Sequence, residues 1–143
     1  MPQPRYHAVA SLALSAVAVT ATRRWRTAVP ILVAGVLVDI DHLVDWGVNR
    51  AAGRADYIIV PLHAWELVLG LLWRGTTATG AMAAGLAVHL LMDQMFNVAV
   101  KHPLFYWLTV RAAYRFRAVE PLVHREGFQE KAVWMQRTPL DWI

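Results

Sequence analysis

Histidines and acidic residues fall in four small groups along this chain, and each group sits at one end of an apolar stretch. His7 opens the first stretch; Asp39, Asp41 and His42 close the second; His63 and Glu66 open the third; His89 and Asp93 close the fourth. If the stretches are helices running up, down, up and down, all four groups meet at one end of a bundle. Imidazoles and carboxylates gathered in this way are what holds a divalent cation when no thiolate is available. The chain contains no cysteine, which excludes a thiolate metal site, a disulfide framework and a cysteine nucleophile.

Spacing within the groups supports the same chemistry. Asp39 and His42 are three residues apart, His63 and Glu66 three, and His89 and Asp93 four, so each pair shares a helix face, with Asn97 one turn beyond Asp93. Asp41 lies off that face, but at a helix end it can still ligate an ion or orient a ligand, and Asp45 continues the polar surface. Ionisable groups at the end of an apolar helix are costly unless they are paired or bound to metal. The metal-ligand candidates are His7, Asp39, Asp41, His42, His63, His89 and Asp93. Glu66 has two roles open to it, ligand or general base, and Asp41 is a second catalytic candidate. The donors exceed what one tetrahedral ion needs, so a centre of two or three ions is admissible. Zn²⁺ is the first choice, with Mn²⁺ and Fe²⁺ as alternatives. Such centres suit ester hydrolysis, phosphoesters above all. Arg111, Arg115 and Arg117 are candidates to clamp a phosphate, or equally to face lipid headgroups.

The elements that must position these residues are helical. At 143 residues the chain suffices for one domain with a real core. It is 57% apolar and 17% charged, more apolar than soluble domains usually are, with a mean hydropathy of +0.37. The formal net charge of +4 is too small to indicate a nucleic-acid partner. Apolar patterning and stop signals predict helices over 6–22, 27–46, 61–73 and 77–100. Their apolar runs, roughly 14–20 residues, fall at or below the ~20 of a bilayer span, so the helices are short or tilted, or their polar ends sit at the interface. The first resembles a signal sequence, but Arg23, Arg24 and Arg26 follow it at once, a poor cleavage context, so a retained helix is expected. The expected architecture is all-α: a short, membrane-embedded, metal-binding four-helix bundle over residues 1–103. Residues 104–143 follow as a basic, aromatic, amphipathic segment, irregular over its last twenty residues. A weak internal echo places Ala34-Gly35 before Asp39 and Ala84-Gly85 before His89 at the same offset.

The order His, then Asp-x-Asp-His after an apolar helix, then His, then His-x-x-x-Asp resembles a bacterial family of inner-membrane metal-dependent hydrolases. These are the LexA-binding, inner-membrane-associated hydrolases, described as similar to zinc-dependent phospholipase C. The resemblance runs over residues 7–97 and carries to His7, Asp39, Asp41, His42, His63, His89 and Asp93. It implies a multi-pass protein of the bacterial inner membrane with a hydrolytic metal centre. The chain departs from the family at His63-Ala64-Trp65-Glu66, where better-known members read Thr-His-Ser.

Basic residues of the C-terminal segment favour a cytoplasm-facing site, although the short loops alone are tied. The expected function is metal-dependent hydrolysis of a phosphoester or lipid-like ester, with membrane lipid as partner and no nucleic acid. Two other readings stay open: a non-catalytic metal-binding or metal-transport membrane protein, and a structural membrane protein with a buried His/Asp network.

Overall fold

The computed structural model describes residues 4–53, 56–97 and 99–124. Within them the fold is all-α, with six α-helices: α1 (Pro4–Thr22), α2 (Ala28–Val36), α3 (His42–Ala52), α4 (Trp65–Trp73), α5 (Thr77–Phe96) and α6 (Leu108–Ala113). No strand occurs among the described residues; two isolated bridges join Tyr57 to Arg117 and Val100 to Val123.

The predicted second helix is a longer and interrupted run. After a 3-10 turn at Trp25–Thr27, α2 leads into a 3-10 segment, Leu37–Asp41, and then α3. Pro30 falls in the first turn of α2, where its missing N–H costs nothing. Gly53, at φ 60°, ends α3 in the left-handed conformation that glycine adopts freely. The third helix begins at Trp65 rather than at Pro61, so His63 lies in the turn before it. Thr76 and Thr79 form a reciprocal capping box at the start of α5, which ends at Phe96, short of the predicted position 100.

Helices α1, α2 and α5 pack on one another, and α4 packs on α5. Small residues let the backbones approach closely. A Cβ on Gly85 would lie 2.3 Å from the Ile31 carbonyl oxygen, and one on Gly35 would lie 2.2 Å from Ser11 Oγ. The weak sequence echo thus marks the α2–α5 crossing, one turn before Asp39 on one side and His89 on the other.

Beside its apolar core, the bundle buries polar residues and exposes many apolar ones. The buried face of α1 carries His7, Ser11 and Ser15, while Val9, Leu12 and Val17 point outward. On the α2–α3 run, Asp41, Asp45 and Asn49 are buried and Val29, Val33, Leu37 and Ile40 are exposed. Exposed apolar residues on this scale mark a surface that meets lipid or another protein. One helical run among the described residues, Trp25–Ala52, is long and apolar enough to cross a membrane, with a mean hydropathy of 1.8.

Within residues 104–124, the amphipathic helix expected to lie on the membrane or cap the bundle is reduced to one short helix that packs into the bundle. α6 has six residues, and Phe105, Tyr106, Leu122 and Val123 join Val38, Ile58, Leu86 and Leu90 in one apolar core. Backbone bonds stitch it in place: Ile58 N–H donates to Phe116 O, Trp65 N–H to Tyr106 O, and Lys101 N–H to Leu122 O. No packing boundary therefore separates residues 104–124 from the bundle. The irregular tail predicted for the last twenty residues lies outside the described residues.

Candidate metal centre

Asp39 and Asp41 come from the 3-10 segment, and that tightening matters. At about 3.0 residues per turn, residues two apart stand about 120° apart, against about 160° in an α-helix. Both carboxylates therefore reach the same side, where α5 delivers His89 and Asp93 and the turn before α4 delivers His63. α1 delivers His7 from its first two turns.

Four atoms define the centre: His63 Nε2, His89 Nε2, Asp39 Oδ1 and Asp93 Oδ2. His63 Nε2 lies 3.1 Å from His89 Nε2, 3.3 Å from Asp39 Oδ1 and 3.3 Å from Asp93 Oδ2. His89 Nε2 lies 3.4 Å from each of the same two carboxylate oxygens. These five separations are thus 3.1–3.4 Å long. Ligand atoms bonded at about 2.0–2.1 Å to a tetrahedral ion stand about 3.3–3.4 Å apart. The donor spacings match such an ion, and Asp39, His63 and His89 form one group that could hold it.

The ring orientations point the same way. His63 Nδ1–H donates to Asp41 Oδ1 at 3.0 Å, and His89 Nδ1–H donates to the Gly35 carbonyl at 3.0 Å. Carboxylates and carbonyls only accept, so both protons sit on Nδ1, and in the neutral rings both Nε2 lone pairs face the centre. Two lone pairs and two carboxylate oxygens in mutual contact repel unless a cation or a proton lies among them. Burial alone would lower the pKa of His63, but its bonds to Asp39, Asp41 and Asp93 outweigh it and hold the ring well above 6.5. In the absence of an ion, a proton takes up part of this negative charge.

Asp41 is consequently an orienting group. One oxygen holds His63, and the other accepts from the backbone N–H groups of Leu62 and His63. Such carboxylate–imidazole pairs fix the tautomer and basicity of a metal ligand. His7 stacks on His89 with ring centroids 3.8 Å apart, and its Nε2 lies 3.3 Å from the second oxygen of Asp93. His42 Nε2 is 3.8 Å from Asp39 Oδ1, and its ring lies against His63. Three overlapping groups could hold an ion: His7, His89 and Asp93; Asp39, His63 and His89; Asp41, His42 and His63. All seven ligand candidates therefore lie in one cluster. Asp39 is its most open member, with 29% of its side chain exposed.

Other expectations need correction. Glu66 does not face the centre as a base or ligand. Its carboxylate accepts from Leu108 N–H, Thr109 N–H and Thr109 Oγ1–H, closing the start of α6. Burial would raise its pKa, but these donors win and lower it, which makes it a poor base. Arg111 is not a phosphate clamp either; it is fully buried and donates to three backbone carbonyls. Arg117 is committed to Asp56 and to Tyr57, whose ring it overlies. Arg115 is exposed in the turn after α6. Sequence reasoning missed the Gly35 carbonyl as the partner of His89, for which the repeated Ala-Gly offset was the available signal.

No family model, curated protein or solved structure matches this chain.

Proposed function

We propose that this chain is a membrane-embedded hydrolase that uses a divalent cation, zinc as first choice, to cleave a phosphoester or lipid-like ester. The observation that carries the reading is the buried cluster in which two imidazole nitrogens lie 3.1–3.4 Å from each other and from two carboxylate oxygens. A donor set of nitrogen and oxygen without sulfur suits Zn²⁺, Mn²⁺ or Fe²⁺. When bound, the ion supplies Lewis acidity, lowering the pKa of water and neutralising charge that develops on an ester oxygen. His63, His89, Asp39 and Asp93 would hold it, with Asp41 and the Gly35 carbonyl orienting the rings. Asp39, at the open rim, marks the side from which water and ester would enter. The exposed apolar surface and the Trp25–Ala52 run support contact with a bilayer; the multi-pass inner-membrane placement rests on the resemblance alone. The motif order also resembles the inner-membrane hydrolases described above.

One observation favours a second reading. The cluster offers four or more protein donors, and sites closed by protein donors tend to be structural whereas catalytic ones keep a position open. The deciding experiment is hydrolysis of chromogenic phosphomonoester, phosphodiester and carboxylic ester substrates by detergent-purified, zinc-loaded protein. Turnover that is lost on chelation and in His63→Ala supports the hydrolase. A fully loaded protein inert across the panel overturns it in favour of a non-catalytic metal protein.

A further inference from the structure

The segment Ile59–His63 is gripped from both sides by charges that never touch one another. On its N–H side, Asp45 Oδ1 accepts from Ile59 at 2.7 Å and from Val60 at 2.9 Å. Asp41 Oδ2 accepts from Leu62 at 2.7 Å and from His63 at 3.2 Å. On its C=O side, Arg111 donates to Ile59 O at 2.8 Å, Val60 O at 3.0 Å and His63 O at 2.6 Å. The Ile59–Val60 peptide unit is held at both ends, its carbonyl on Arg111 and its N–H on Asp45. A buried guanidinium and a buried carboxylate thus neutralise one another through a polarised peptide group. Arg111 is 0% exposed and Asp45 1%, so neither charge has water as an alternative partner.

This grip has work to do. Val60 has φ 28°, a region that a β-branched residue avoids. A strained residue persists only where its surroundings over-determine it, and both the N–H and the C=O of Val60 are taken. Three residues on, the His63 backbone is held by Asp41 and Arg111, and its ring supplies one donor of the candidate metal centre.

Resting on the metal reading above, we infer that Arg111 and Asp45 act as one positioning pair. Through the backbone of residues 59–63 they hold His63 where it meets His89, Asp39 and Asp93. Arg111 touches no ligand side chain, and its role is geometric. Three carbonyls need the planar fork of a guanidinium; a lysine ammonium on a flexible stem cannot satisfy them together.

The test compares wild type with Arg111→Lys and Asp45→Asn in detergent. Zinc affinity is measured by chelator competition, the visible spectrum is recorded for the Co²⁺-substituted protein, and amide exchange is followed without metal. Helix content by circular dichroism shows that each variant folds. The expected result for Arg111→Lys is zinc binding weakened about 10–100-fold and an altered Co²⁺ spectrum. Exchange at Val60, Leu62 and His63 should quicken more than in α5. Asp45→Asn keeps an acceptor but loses the charge, and should shift the same readouts in the same direction. Folded variants with wild-type affinity, spectrum and exchange overturn the inference. If wild type binds no zinc, the metal reading fails separately. The exchange pattern then still decides whether Arg111 holds the segment, and unchanged protection rejects it.

Discussion

Replacing Gly85 with alanine should break the metal centre without touching it. A Cβ at Gly85 would sit 2.3 Å from Ile31 O and 3.0 Å from Ile31 C and Cα, all backbone atoms that cannot rotate away. Restoring an ordinary contact of 3.4 Å requires α2 and α5 to separate locally by about 1 Å. The centre lies further along the same helices, with His89 one turn beyond Gly85 on α5 and Asp39 about two turns beyond Ile31, just after α2. Their 3.4 Å separation would widen toward about 4.4 Å, beyond the about 3.3–3.4 Å that a tetrahedral zinc ion spans. Overpacking of this kind costs roughly 1–3 kcal/mol, so a folded but less stable protein is expected. Zinc affinity should fall by about 10–100-fold, the range for disturbed metal-site surroundings. The assay is chelator competition beside thermal melts, with Gly80→Ala as control, since a Cβ there meets nothing within 4 Å. Wild-type zinc affinity in a folded Gly85→Ala protein would refute the link between this crossing and the site.

Further outcomes follow from the same geometry. Glu66→Gln should leave metal content unchanged and destabilise the fold by roughly 0.5–1 kcal/mol through a weaker cap on α6. Because the folded-state pKa of Glu66 is lowered, its stabilisation is present above the ordinary glutamate value of 4.5 and lost in acid. The gap in melting temperature between wild type and Glu66→Gln at pH 7 should therefore close as the pH drops below that value. A gap that stays constant with pH would contradict the charged cap. Chelation should lower the melting temperature of the loaded protein, since an ion held at 1,000 times its Kd contributes about 4 kcal/mol; identical melts with and without chelator would contradict a bound ion. Asp41→Asn removes the charge behind His63 and should weaken zinc binding about 10–100-fold, as read by the same competition assay.

How much of this was legible in the chain depended on the range of the interaction. The grouping of His7, Asp39, His42, His63, His89 and Asp93 could be read from apolar stretches whose ends carry ionisable residues, because alternating helix direction alone brings those ends together. The 3-10 tightening at Leu37–Asp41 could not, since Leu-Val-Asp-Ile-Asp carries no breaker and the partners of its two carboxylates lie in the turn before α4 and on α5. His63 looked helical because Pro61 is a good first-turn residue, yet Asp41 and Arg111 hold the segment in a turn until Trp65. Arg111, Arg115 and Arg117 read as a basic face by composition. Two of the three are taken by backbone or side-chain partners from residues 56–63, contacts more than forty residues distant that no local pattern records. Glu66 was misplaced for the same reason: its partners, Leu108 and Thr109, belong to the segment that folds back.

Elemental analysis of protein purified in detergent and never exposed to chelator addresses the centre most directly, run beside a His89→Ala, Asp93→Ala double variant. At least one equivalent of a divalent transition metal, zinc foremost, should accompany the folded wild type and be absent from the variant. Folded wild type carrying no stoichiometric metal would contradict the metal centre and leave the cluster as a protonated hydrogen-bond network.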